Sequence, residues 1–301
     1  MPPSNHLTFE NFFSYGPAQY DIVDHFLTLG YAAMAAGFVY FLVTLPQLAP
    51  RYKLSSVLGA VVMASAFFEL FELSALWNTA FVFDPLTATY VLGTESAFSN
   101  GFRYTNWSID VPVLLTQLLV IAGVSGKAFR SMWVQFIVAG ILMIYTGYAG
   151  QFYEAPNGGP PTTPFWVWGA VSTVFFVWII WIAYRATYGQ VQNMPEPSRG
   201  PMKAVFWLLV ISWMLYPGGY LMPAMWPAAD GVVARQITYT IADISSKVIY
   251  GVLLSYVGQV ASAATGYEPA QRWMIGNTRT STAPIMETAT ETVRHSETVA
   301  S

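Results

Sequence analysis

Seven stretches of this chain are apolar over about the length that crosses a bilayer, and no other feature limits its fold as much. They lie near residues 22–46, 54–77, 103–124, 131–149, 164–186, 203–226 and 233–262. Each approaches or exceeds the ~20 residues a helix needs to span the hydrocarbon core. In lipid the backbone must satisfy its own hydrogen bonds, so such runs become helices. Only 10% of the 301 residues are charged and 54% are hydrophobic, against about 25% charged in a soluble domain. The expectation is an all-α membrane protein with seven transmembrane helices and one domain, over 22–265. Trp and Tyr near several ends fit interfacial belts.

Loop charges give the orientation. Arg51, Lys53, Lys127, Arg130, Arg185, Arg199 and Lys203 fall in one set of loops. The alternate loops carry Asp84, Glu95, Glu154 and Asp230, with Arg235 as their basic residue. Positive charge stays inside, so the N-terminus is predicted outside and the C-terminus inside. Residues 1–21 lack the basic and apolar regions of a signal peptide. They are predicted to form an extracellular cap, with Phe9, Phe12 and Phe13 as its apolar contacts. Residues 78–102 contain FVFDP and TYVLG, read as a short extracellular hairpin between helices 2 and 3. The polar segment 266–301 is predicted to be a disordered cytoplasmic tail. With no cysteine and three scattered histidines, no thiolate chemistry or His/carboxylate metal site is indicated. No phosphate-binding loop or basic stripe suggests nucleotide or nucleic acid.

The seventh run, YTIADISSKVIYGVLL, holds Lys247 near its middle. Lysine at that depth costs roughly 2.5 kcal/mol or more on insertion scales. Asp243 stands at i−4, on the same face. The pair reads either as a buried lock between helices or as a reactive amine. A desolvated lysine condenses with an aldehyde to a Schiff base, which needs a carboxylate nearby once protonated.

The third run, GFRYTNWSIDVPVLLTQLLV, carries Arg103, Asn106, Asp110 and Gln117. At 100° per residue they share a sector of about 60° and extend over about 21 Å. One helix thus presents an arginine, an amide, a carboxylate and a second amide to the bundle interior. The second run adds Ser65, Glu69 and Glu72. Glu72 is close enough to the external end to reach water, whereas an intramembrane Glu69 reads either as functional or as a protonated, hydrogen-bonded acid. Trp107, Trp168, Trp213 and Tyr216 supply flat surfaces, read either as ordinary helix packing or as walls for a planar conjugated ligand beside the lysine.

DISSKVIYG, RYTNWSIDVP and SWMLYPGGYLMP resemble microbial rhodopsins, and Asn106, Asp110 and Gln117 resemble the Asn–Asp–Gln signature of the light-driven sodium pumps. The similarity covers all seven helices and the cap. It implies an outward ion transporter, not an enzyme, in a prokaryotic plasma membrane, with all-trans retinal on Lys247 and Asp110 as counter-ion and proton acceptor. Asn106, Asp110 and Asp243 would form a transient sodium site and Arg103 an external barrier. Ser65 and Gln117 would lie on the uptake side, and Glu10, Glu154 and Arg235 around the exit. Trp107, Trp168, Trp213 and Tyr216 would line the polyene. The resemblance also implies a homopentamer.

Two departures from the family pattern stand out. Glu69 replaces an expected apolar residue and is predicted to hydrogen-bond Asp110. Ser56 and Ser96 replace an Asn and an Asp of other members. Gly169, beside Trp168, is read either as a carotenoid-antenna site or as close helix packing. The alternative functions are an outward proton pump, a photosensor acting through a partner, and a transporter without retinal that uses the Lys–Asp pair.

Overall fold

The computed structural model describes residues 8–279. Seven helical spans pass through it, each long and apolar enough to cross a membrane. They are α1 (Pro17–Thr44), α2 (Pro50–Ala80), α3 (Gly101–Ala122), α4 (Gly126–Gln151), α5 (Thr163–Gln190), a sixth span and a seventh. The sixth is broken into α6 (Glu196–Trp213) and α7 (Leu215–Met225). Pro217 accounts for the break, because it has no N–H to give the Trp213 carbonyl one turn back. The seventh runs as α8 (Ala229–Asp243), a π-helical turn (Ile244–Ile249) and α9 (Tyr250–Ala264). All seven predicted segments are present, most of them longer at their ends than the hydropathy marked.

The spans differ in how much protein surrounds them. In α3, 61% of the most apolar window is buried, against 17% in α5. This explains why α3 tolerates a polar stripe: that face looks into the bundle. Lys247 falls within the π turn, a local widening that often marks a functional position.

The hairpin is present as β1 (Phe81–Asp84) and β2 (Thr89–Leu92), paired from Phe81↔Leu92 to Asp84↔Thr89. It is joined to the cap. Tyr15 exchanges both backbone bonds with Tyr90 at 2.9 and 2.8 Å, and the Tyr20 and Tyr90 rings stack at 3.7 Å. Trp77 fills the space beneath, against Tyr15, Phe81 and Phe98. A short 3-10 helix, Phe9–Phe12, buries Phe9 and Glu10. Cap and hairpin lie together, and that end is called the cap end below; the other is the tail end.

The tail departs from its prediction. Glu268–Arg279 forms a further helix, α10, where disorder was expected. Residues 280–301 of that predicted tail lie outside the described residues.

Candidate functional site

Lys247 is the hub. Its Nζ lies 2.8 Å from Asp243 Oδ1, 3.3 Å from Asp110 Oδ2, 3.7 Å from Glu69 Oε2 and 3.3 Å from Asn106 Oδ1. The amine is 1% exposed as a side chain. Three helices converge here: α2 brings Glu69, α3 brings Asn106 and Asp110, and the seventh span brings Asp243 and Lys247. The α3 stripe points inward as its spacing requires, with Arg103, Asn106, Asp110 and Gln117 all buried.

The site extends toward the cap end as a continuous polar string. Asp243 Oδ2 accepts from Arg103 Nη1 at 2.7 Å, and the Tyr216 hydroxyl donates to Asp243 Oδ1 at 2.8 Å. Arg103 Nη2 donates to Gln236 Oε1 at 3.1 Å. Gln236 Nε2 donates onward to Glu10 Oε1 at 2.9 Å. Arg235 closes the string, with Glu10 Oε1 at 3.2 Å and Glu154 Oε2 at 2.7 Å. The family resemblance implies that Glu10, Glu154 and Arg235 share one region, and Arg235 contacts both carboxylates. Burial pushes the Glu154 carboxyl above its ordinary range, while Arg235 and the Phe9 amide, which donates to it at 2.9 Å, act the other way.

Charge is unevenly balanced along this string. Around Lys247 stand Glu69, Asp110 and Asp243 against Lys247 and Arg103, one carboxylate in excess. Around Arg235 stand Glu10 and Glu154, again one in excess. Buried charge is tolerated only when paired and hydrogen-bonded. Each cluster therefore has a use for one mobile positive charge, a proton or a cation.

Three expectations need correction. Ser65 was expected with Gln117 on the uptake side; instead its Oγ accepts from Asn106 Nδ2 at 2.6 Å, which places it at the level of the lysine. The reason is register: Ser65 is the midpoint of the 31-residue α2. Glu69 does not hydrogen-bond Asp110. Its Oε1 faces Arg103 Nη1 at 3.5 Å, while Asp110 Oδ2 faces the Lys247 amine at 3.3 Å. The two carboxylates approach the same amine from different helices and meet through it. Trp168 does not line the cavity and is 37% exposed. Its neighbour Gly169 faces inward, with Ser172 and Phe176 one and two turns further on.

An apolar cavity ends at Lys247, with Trp107, Trp213, Tyr216 and Leu114 among its walls. It fits a long planar conjugated aldehyde on two observations. Its surface is mostly flat rings and aliphatic side chains, with Asp110 beside Lys247, and among the described residues the Lys247 amine is the cationic group in its wall. A Cβ on Gly169 would come within 2.9 Å of the Tyr220 ring, so the space beside this glycine is taken by close packing of Tyr220.

Glu72 is exposed, as read from the sequence. Gln117 is buried toward the tail end, and its Nε2 donates to the Ser55 carbonyl at 2.7 Å. Ser56 donates to the Phe41 carbonyl at 3.1 Å, and Ser96 makes a long contact with Thr79. Gln236 and Asn100 were missed. Asn100 Nδ2 donates to Glu10 Oε1 at 2.5 Å. Gln236 lies seven residues before Asp243 and eleven before Lys247, on their face of the helix, and that spacing was readable. Asn100 precedes α3 and carries no such signal.

Known proteins point the same way. The family model described as bacteriorhodopsin-like protein matches residues 21–260. A green-light absorbing proteorhodopsin from a gamma-proteobacterium is 20% identical over 225 residues, covering 74% of this chain and 81% of its own. Bacteriorhodopsin-I from Haloarcula marismortui is 23% identical over 250 residues, covering 81% and 95%. Among solved structures, thermophilic rhodopsin superposes with a TM-score of 0.77 at 27% identity, covering 84% of this chain and 99% of its own. Xanthorhodopsin, described as a light-driven ion pump with dual chromophore, gives 0.76 at 28% identity, covering 84% and 98%. With the family model spanning the bundle and a lysine set in a carboxylate-lined, aromatic-walled cavity, this chain belongs to the bacteriorhodopsin-like family.

Proposed function

We propose that this protein is a light-driven outward sodium pump that carries retinal on Lys247. The observation supporting it most directly is the ring around Lys247 Nζ, in which Asp110, Asp243 and Asn106 stand within 3.3 Å. Retinal, held on Lys247 between Trp107, Trp213 and Tyr216, would supply light absorption and photoisomerisation. The rest is the work of the chain. At rest the positive charge on Nζ repels a cation arriving from the tail end. Passage of the Nζ proton to Asp110 Oδ2 removes that charge and the carboxylate's together. A cation then crosses the level of Lys247 and meets Asn106 Oδ1 and Asp243. Return of the proton restores the barrier behind it. Arg103, bonded to Asp243 at 2.7 Å, must swing aside for the cation to leave toward Glu10 and Glu154.

Gln117 supports sodium over protons, because an amide cannot hand a proton back to Lys247 as an acid would. An outward proton pump is the second reading. It is favoured by the direct Lys247–Asp110 contact, which moves a proton whether or not a cation follows. Illumination of expressing cells in NaCl and in KCl, with and without a protonophore, separates the two. A sodium pump gives light-driven alkalinisation in NaCl that the protonophore enhances. Acidification that the protonophore abolishes in both salts would establish the proton pump.

A further inference from the structure

We infer that α10 is a membrane-surface anchor, with its apolar stripe seated through Trp273 in the headgroup layer of an anionic leaflet. The inference is independent of the ion pumped. α10 begins after only Thr265, Gly266 and Tyr267 beyond the end of α9 at Ala264. A chain extends about 3.5 Å per residue at most, so α10 starts within about 14 Å of the end of a membrane-crossing helix. It is also folded back against the bundle. The Tyr267 amide donates to the Ser262 carbonyl at 3.0 Å, Gln271 Nε2 to the Ala263 carbonyl at 3.1 Å, and the Tyr267 hydroxyl to the Pro46 carbonyl at 3.3 Å.

The residue pattern indicates what covers the outer part of this helix. Ala270, Trp273 and Met274 stand at i, i+3 and i+4, one stripe of a helix. Glu268 and Arg272 stand off that stripe, paired with each other and strongly exposed at 69% and 77% of their side chains. The stripe begins on the protein, where Ala270 is fully buried, and runs off its edge, where Trp273 is 44% exposed. Tryptophan beside cationic groups is the pattern of a helix lying in an interface. The cationic groups are present, since Arg51, Lys127, Arg130 and Arg185 are exposed at the same end of the bundle. A leaflet surface carrying anionic lipid complements that rim. Seated in this way, α10 straps the turn between α1 and α2 through Tyr267 and Pro46.

The chain has no cysteine, so one introduced thiol carries one label. Trp273→Cys and Glu268→Cys, each in the full chain, would be labelled with a polarity-sensitive fluorophore and reconstituted in phosphatidylcholine–phosphatidylglycerol vesicles. The expected result is iodide quenching several-fold weaker at 273 than at 268, with strong quenching at 273 by lipid carrying a headgroup-level nitroxide. Because Trp273→Cys removes the proposed anchor itself, Met274→Cys is labelled with Trp273 intact and with Trp273→Ser. The second should gain iodide access. Equal iodide access at 273 and 268 would place the helix in water and overturn the proposal. So would protection at 273 from both iodide and nitroxide lipid, which would mean that protein covers it.

Discussion

The two halves of the bundle interior are built from different chemistry. From Lys247 to the cap end, the described residues bury Glu10, Glu69, Asp110, Glu154 and Asp243 with Arg103, Arg235 and Lys247. From Lys247 to the tail end they bury Gln117, Ser55, Ser255 and Gln259, and no carboxylate, lysine or arginine. Charge is what separates the halves. A cation entering the neutral half meets oxygen dipoles that hold it weakly, and its main obstacle is the Lys247 charge ahead. A cation in the charged half meets two clusters, each short of one positive charge. In the proposed cycle the neutral side admits and the charged side attracts, and net movement one way depends on light lowering the barrier at Lys247 and on its return behind the cation.

Lys247→Ala removes the boundary itself, and its effect should be the largest. The protein is expected to insert, since the cost of a buried amine is lifted, yet to show no visible band after retinal is added. An absorption spectrum decides, and a band in this variant would end the retinal assignment. Asp110→Asn keeps the lysine but deletes its proton acceptor. Light-driven transport is expected to fall by about a hundredfold or more and the band to move to longer wavelength, read by ion flux and spectroscopy. Arg235→Gln tests the far end of the charged half. It strands Glu10 and Glu154 without their cation, at about 3 kcal/mol or more, measured as a lower unfolding temperature. The equivalent change in the neutral half, Gln259→Ala, should cost much less.

Gln117→Glu breaks the comparison by placing an acid in the neutral half. A protonated Glu keeps the bond to the Ser55 carbonyl and supplies a mobile proton. Transport in KCl should then gain a proton component, because the added acid can return a proton to Lys247, seen as faster light-driven acidification. Glu69→Gln is the smallest change. It takes one anion from 3.7 Å of Lys247 and leaves the two nearer ones. A band shift in the same direction as Asp110→Asn, and smaller, is expected. A shift as large as that of Asp110→Asn would make Glu69 an equal counter-ion.

The charged half was largely legible before the fold was known. Arg103, Asn106, Asp110 and Gln117 declare themselves because four polar residues on one sector of an apolar helix must face inward. Lys247 and Asp243 do so by spacing alone. What stayed hidden depends on helix rotation and depth between elements, which no single helix specifies. Ser65 could not be placed on the level of Lys247 without the α2–α3 register. The rotation of α5 decides that Gly169 looks inward while Trp168 remains partly exposed. In α10 the polar composition suggested disorder, yet the stripe at Ala270, Trp273 and Met274 was present at helical spacing in a short run.

The long reach of the polar string has a consequence for how the chain is made. Arg103 pairs with Asp243 across 140 positions, and Glu10 with Arg235 across 225. The spans of lowest mean hydropathy are the third, at 1.3, and the seventh, at 1.2, and these two carry each other's opposite charges. During synthesis the third emerges with Asp110 unpaired, at about 2.5–3.5 kcal/mol for a charge at the centre of a bilayer, and with Arg103 facing only Glu69 of α2 at 3.5 Å. Their closest partners, Asp243 and Lys247, arrive only when the last span is complete. Insertion of α3 is therefore provisional until the seventh span follows, and a chain stopped after α7 is expected to leave α3 only fractionally inserted, with a glycosylation site engineered between Glu95 and Asn100 reporting the fraction. The bundle is proofread by its own electrostatics, from its last helix back to its third.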